Sequence, residues 1–104
     1  MELSLEVYKL TADFPNSEQF GLTNQLRRAT VSVASNIAEG YGRSTTGEYV
    51  QFLGHARGSV SEVITQLVIA KELRFGNQGL LEQAANLAEE VNRMLVAMMK
   101  RLKG

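Results

Sequence analysis

Apolar residues along this chain recur every three to four positions and nowhere alternate with period two, so the pattern predicts helices throughout. The first stripe is Leu3, Val7, Leu10 and Phe14, widened by Leu5 and Tyr8, and predicts a helix from about Glu2 to Ala12. Asp13-Phe14-Pro15-Asn16 ends it, because Pro15 disfavours helical geometry at the residue before it. Phe14 is expected to tuck back into the core. The second helix begins at Gly21-Leu22-Thr23, with Thr23 as its N-cap, and runs to Tyr41. Its apolar positions form two stripes, Leu22, Leu26, Ala29, Val33 and Ile37 beside Val31, Ala34, Ala38 and Tyr41. Between them lies a polar seam of Arg28, Ser32, Ser35 or Asn36, Glu39 and Arg43 at the same spacing. A helix apolar on two sides has too little exposed face for the edge of a small monomer. One side is expected to face its own bundle and the other a second subunit.

Gly40 and Gly42 predict the C-terminus of that helix, and Thr45 with Glu48 has capping-box spacing for the next. The third helix extends to about Arg74, with Leu53, Ala56, Val60, Val63, Leu67 and Ala70 as its core stripe. His55, Ser59, Glu62 and Gln66 form a polar stripe beside it. Gly54 and Gly58 lie one turn apart inside this helix, each costing about 1 kcal/mol relative to Ala, and are expected where two backbones approach closely. Phe75-Gly76-Asn77-Gln78-Gly79 reads as a loop. The last helix runs from about Leu80 to Leu102, with Leu80, Ala84, Leu87, Val91, Met94, Leu95, Met98 and Leu102 inward. Lys100, Arg101 and Lys103 close it, where the helix dipole favours cations. The fold class that follows is all-α, a single domain over residues 1–104 forming an antiparallel up-down-up-down four-helix bundle that is oligomeric.

Composition adds exclusions. The 104 residues carry 11 Lys and Arg against 11 Asp and Glu, a formal net charge of zero. That balance lacks the basic footprint of a dedicated nucleic-acid binder, so a nucleic-acid role requires charges segregated onto one face or multiplied by assembly. The N-terminal Met1-Glu2-Leu3-Ser4-Leu5-Glu6 has acids where a signal peptide has bases. The absence of Cys removes disulfides and thiol catalysis and fits a reducing cytoplasm. No apolar run is long enough to cross a bilayer.

Candidate chemistry is sparse. His55 is the single His, which leaves no multi-histidine metal site and no triad, and it reads as a helix-surface or interface residue. Glu89 and Glu90 lie on a solvated face, with Glu89 at i,i+4 spacing from Arg93. No Glu-x-x-His arrangement supports a di-metal bundle. Gly40-Tyr41-Gly42-Arg43-Ser44-Thr45-Thr46 resembles a phosphate loop in its glycines, but it lacks the Gly-Lys-Ser/Thr ending and a preceding strand. A capped helix–helix turn explains it better, although Arg43 and the free N–H groups of the next helix offer an anion site. No catalytic residue, cofactor or metal is implied, and no nucleophile–base pair can be named. The candidate partner-binding or interface network is Arg28, Asn36, Glu39 and Arg43 on the second helix against Ser59 and Glu62, with Gln66, on the third. Read structurally, it is an ion-pair network fixing helix register or a subunit interface, in which losing one buried partner costs about 3–5 kcal/mol. Read functionally, it lines a polar pocket or channel. Arg27, Arg28, Arg43 and Arg57 would give a ring a basic rim if multiplied by assembly.

Three runs of sequence carry a family resemblance. Phe20-Gly21-Leu22-Thr23-Asn24-Gln25-Leu26-Arg27-Arg28-Ala29, then Ser32-Val33-Ala34-Ser35-Asn36-Ile37-Ala38-Glu39-Gly40-Tyr41-Gly42-Arg43, resemble the four-helix-bundle family of 23S rRNA intervening-sequence proteins. Phe52-Leu53, Ala56, Gly58-Ser59, Glu62 and Gln66-Leu67 continue the match, which covers nearly the whole chain. The resemblance implies a bacterial, cytoplasmic, all-α, ribosomal protein-like homopentamer, most of whose relatives have no assigned activity. The function expected is a non-enzymatic assembly, with no membrane contact, whose ring presents its central helices to RNA or a protein partner. The alternatives are a structural scaffold without nucleic-acid contact, or an accessory protein of a retroelement reverse transcriptase, whose relatives are strongly basic where this chain is neutral. Ala34 stands where many members have Pro, which implies a less kinked second helix. The chain opens inside the family's first helix, which implies either a truncated start or a short first helix.

Overall fold

Twenty-eight residues of uninterrupted helix, α3 at Thr46–Leu73, set the length of the molecule. At 1.5 Å per residue such a helix reaches about 42 Å, and the long axis measures 43 Å against 22 and 18 Å across. The structure, a computed structural model, describes all 104 residues. The other helices are α1 at Glu2–Thr11, α2 at Leu22–Tyr41 and α4 at Gln78–Lys103, with one 3-10 turn at Asn16–Glu18 and no strand. α1 packs on α2 and α4, α3 packs on the same two, and neither diagonal pair touches. Ser4 meets Thr30 while Thr11 meets Arg27, so α1 and α2 run antiparallel. Ser32 opposite Ser59 and Gly40 opposite Phe52 show the same for α2 and α3. The result is the four-helix bundle that the periodicity predicts.

Eighteen buried apolar residues make one core cluster. The whole α3 stripe from Leu53 to Ala70 is buried, as are Leu3, Val7, Leu10 and Phe14 from the first segment and Leu22, Leu26, Ala29 and Val33 from α2. Each fully buried Leu or Val contributes about 1.5–3 kcal/mol. Phe14 does fold back, with its ring 5.6 Å from that of Phe75. Leu5 and Tyr8, expected to widen the first stripe, are exposed, Tyr8 with one ring face against the Arg27 guanidinium of α2. On α4, Leu81 and Ala88 join Ala84 and Leu95 in the core, while Met94, expected inward, is half exposed. Met94 lies beside Met1 and Leu3, at the end of the short α1, where cover from that side stops.

Helix ends depart from expectation at several places. α2 starts at Gly21, and Thr23 is buried inside the helix instead of capping it. The cap comes from the preceding 3-10 turn: Glu18 Oε1 accepts from the Leu22 N–H at 3.1 Å. α3 does use Thr45, whose hydroxyl oxygen accepts from the Glu48 N–H at 3.2 Å and donates to Glu48 Oε1 at 3.1 Å. α4 begins at Gln78 instead of Leu80, because Asn77 Oδ1 accepts from the Leu80 N–H at 3.0 Å. Before it, Gly76 turns the chain at φ +73°, where a Cβ would stand 2.9 Å from Leu10 Cδ1 and Phe14 Cε1. Gly54 and Gly58 do not mark a close backbone contact within the protomer. Nothing lies within 4 Å of a Cβ at Gly58, and only Met99 Cε, at 3.7 Å, approaches one at Gly54.

Candidate functional site

The corner at Gly40–Arg43 and the α2–α3 seam hold all six candidate residues. Gly40 is buried inside the last turn of α2, where a Cβ would meet Phe52 Cβ and Tyr49 Cδ1 at 3.0 Å and Tyr49 O at 3.3 Å. It is a close contact with α3, not the helix stop expected from its composition. Gly42 supplies the stop with φ −82° and ψ −1°, a right-handed conformation open to any residue, and its N–H bonds Ala38 O and Glu39 O.

Arg43 closes the corner. Its Nη2 lies 3.5 Å from Glu39 Oε2, its Nη1 3.9 Å from Glu48 Oε2, and its guanidinium carbon 4.5 Å from the Phe52 ring centroid. The Arg43 side chain is 38% exposed and that of Glu39 60%. This is a surface charge cluster, and such pairs contribute about 0–1 kcal/mol. The 3–5 kcal/mol expected of a buried network does not apply, because water reaches both partners. The anion site fails here too. Two carboxylates flank Arg43, and the Glu48 N–H is already taken by Thr45.

One helical stripe further along, the seam opens into a cleft of about 320 Å³. Ser32 and Ser59 share a hydroxyl–hydroxyl hydrogen bond of 2.9 Å at its lower end. Asn36 Nδ2 donates to Ser32 O at 2.8 Å and to Ser32 Oγ at 3.1 Å, which holds that serine in place. Above this closure, Asn24, Gln25 and Arg28 of α2 face Glu62 and Gln66 of α3, over Ala29 as the one apolar lining residue. Gln66 Oε1 is shut off from solvent and has no hydrogen-bond partner. Arg28 and Glu62 enter the same cleft without an ion pair, since the only pairs formed are Lys9–Glu6 and the two of Arg43.

The structure therefore divides the predicted set. Arg28, Ser59 and Glu62 line the cleft, Asn36 braces its end through Ser32, and Glu39 with Arg43 belong to the separate corner. Asn24 and Gln25 complete the cleft. A polar seam traced downstream from Arg28 does not include them, although Asn24 stands one turn upstream on the same face. Arg27 serves the other side of α2, where its Nε donates to Thr11 Oγ1 at 2.8 Å and its guanidinium lies 4.5 Å from the Tyr8 ring centroid. His55 is exposed, edge-on to Phe52 at 5.8 Å, and Glu89 makes no ion pair with Arg93. No three His, Asp or Glu side chains gather as metal ligands would, and no helix is long and apolar enough to cross a membrane.

The chain also leaves much apolar surface uncovered. Phe20 is 87% exposed, Tyr41 79% and Leu5 64%, with Val31, Val68, Ile69 and Leu73 exposed as well.

Comparison with known proteins places this geometry. The family model described as 23S rRNA-intervening sequence protein matches residues 1–97. Among solved structures, the chain is similar to a protein of unknown function from the S23 ribosomal protein family of Bacteroides thetaiotaomicron. The two share 20% identity at a TM-score of 0.84, with 95% of this chain and 93% of that chain covered. At that identity the likeness shows the fold alone. No curated protein gives a significant match. The chain belongs to the 23S rRNA-intervening sequence protein family.

Proposed function

We propose that this member of the 23S rRNA-intervening sequence protein family is a non-enzymatic cytoplasmic scaffold. Copies associate through their exposed apolar faces into a ring of five, and the ring offers the α2–α3 polar seam to RNA. The observation that carries the reading is the amount of apolar surface outside the core: only 22 of 104 residues are buried, while Phe20, Tyr41, Leu5, Leu73, Val68 and Val31 stay exposed on several faces. Large apolar surfaces of this kind mark association sites in soluble proteins. Pentamer size follows the resemblance. The second stripe of α2, with Val31, Ala34, Ala38 and Tyr41, supplies an apolar surface for it. Arg28 and Arg57, which make no ion pairs within the chain, supply the charge that assembly multiplies.

A second reading, a scaffold with no nucleic-acid contact, is favoured by the balanced charge and by the two glutamates around Arg43. Two measurements separate them. Native mass spectrometry is expected to give five protomers, and Val31→Glu to shift the species toward monomer; a wild-type monomer at micromolar concentration overturns the assembly. RNA affinity of the intact oligomer is expected to fall steeply with salt, as phosphate contacts require. Absence of RNA binding at low salt leaves only the second reading.

A further inference from the structure

The cleft between α2 and α3 has the makings of a ligand site that packing does not account for. A helix–helix seam is ordinarily closed by apolar side chains or by satisfied polar pairs. Here the lower end follows that rule through the Ser32–Ser59 bond, braced by Asn36. The upper part does not. Gln66 Oε1 is buried without a donor, and burying an unsatisfied acceptor is unfavourable. Glu62 and Arg28 stand on opposite walls of one cleft and do not reach each other. Acceptors on the α3 wall and a planar, multi-donor cation on the α2 wall therefore await a molecule with N–H donors on one edge and acceptors on another.

We propose that this cleft takes one unpaired guanine base, a reading that deepens and rests on the RNA-binding function above. Guanine is the base that meets both walls. Its N1–H and N2–H₂ present adjacent donors to the two oxygens of the Glu62 carboxylate, and its O6 and N7 accept from an arginine, the commonest side chain to read that edge. Adenine, cytosine and uracil do not offer paired donors to a carboxylate. Unpaired RNA bases are read in this way, on their Watson–Crick and Hoogsteen edges, often with an arginine plane beside the ring. A volume of about 320 Å³ lies at the small end of ligand pockets, enough for one base and too little for a paired step. Asn24 and Gln25 line the same cleft and offer polar groups for the attached sugar. The same chemistry is presented by single-stranded RNA and by a free guanine nucleotide.

The test uses the intact oligomer. GMP, AMP, CMP and UMP are titrated by calorimetry, and a uridine oligomer with or without one internal guanosine is titrated in parallel. GMP is expected to bind at least tenfold more tightly than the other three, and the guanosine-bearing oligomer to gain by a similar factor. Glu62→Gln is expected to lose about tenfold to a hundredfold of that preference, read as the ratio of GMP to UMP affinity within the same variant. Because Glu62 is exposed, this variant keeps its fold, and an unchanged melting curve confirms it. Equal binding of all four nucleotides, with uridine oligomer bound as well as its guanosine form, overturns the cleft proposal and leaves the RNA scaffold standing. GMP preference without any RNA binding overturns the scaffold reading and keeps the cleft as a free-nucleotide site. A change of oligomer mass in Glu62→Gln would mean that a neighbouring protomer fills the cleft, and overturns the proposal.

Discussion

Arg27 and Arg28 are consecutive residues on α2 that face two different seams. Successive helical residues point about 100° apart, and that rotation separates their fates. Arg27 turns to α1, where Thr11 accepts from its Nε at 2.8 Å and the Tyr8 ring lies beneath its guanidinium at 4.5 Å. The Thr11 hydroxyl is itself bonded to Val7 O at 2.7 Å, so the arginine is tied into a buried polar chain. Arg28 turns to α3, stays exposed, and forms no ion pair although Glu62 shares its cleft. The first seam is closed by its polar groups, and the second is closed by them only at Ser32 and Ser59 and open beyond. An arginine on a helix thus reports structure or availability according to whether its donors already have acceptors, and residue type alone does not distinguish the two.

The largest expected effect comes from forcing the α2–α3 seam apart at Gly40, where a side chain has no room. Gly40→Val places branched carbon against Phe52 Cβ and Tyr49 Cδ1, both 3.0 Å from the Cβ position, and is expected to destabilise by about 1–3 kcal/mol as overpacking does. Gly42→Ala, two residues on at φ −82°, is expected to be neutral or stabilising by about 0.4–1 kcal/mol. Urea melts of the pair decide it. Equal losses at both glycines would mean the corner needs backbone freedom, not a close approach. Next in size is Arg27→Ala, which removes a charged hydrogen bond and a ring contact and is expected to lower stability by about 1–2 kcal/mol. A domain of this length then melts roughly 4–8 °C lower for each kcal/mol lost, a shift that circular dichroism resolves.

The difference between the seams also explains what is legible in the sequence. The α3 stripe from Leu53 to Ala70 is readable because one periodicity and one buried face determine it. α4 is less readable because two neighbours of unequal length cover it: Met94, beside Met1 and Leu3, stays half exposed, while Leu81, near the other end of the helix, is buried against α3. Thr23 has the residue type and position of a cap, yet Glu18 reaches the Leu22 N–H from a separate turn, which no fixed spacing announces. At the site, the polar seam itself is visible as a stripe, and Arg28, Ser59 and Glu62 do line one cleft. What periodicity cannot resolve is the small rotation and separation of two helices. That rotation sends Glu39 and Arg43 to a solvated corner and leaves Arg28 out of reach of Glu62.

Within the second seam, the serine pair is the one direct polar link between α2 and α3. A double-mutant cycle of Ser32→Ala and Ser59→Ala is expected to give a coupling of about 0.5–1.5 kcal/mol, since the hydroxyls bond each other at 2.9 Å. No coupling would mean that Asn36 alone satisfies Ser32 and that the helices are registered by packing. Smaller again is Arg43→Gln, expected to cost less than about 1 kcal/mol and to lose that effect at high salt, as exposed pairs do.

The smallest expected effect is the most discriminating. Arg28→Ala removes a side chain that makes no ion pair and lies exposed at a cleft, so stability is expected to stay within about 0.5 kcal/mol of the parent. Its neighbour, one residue earlier, is expected to lose roughly two to four times that amount. Urea melts of Arg27→Ala and Arg28→Ala, run beside native mass spectrometry, put the comparison at risk directly. A destabilisation by Arg28→Ala as large as that of Arg27→Ala, or a change in oligomer mass, requires a partner for Arg28 supplied by another protomer. Both seams would then be structural. Unchanged melting and mass leave Arg28 a free guanidinium in a polar cleft, with its donors available to a ligand.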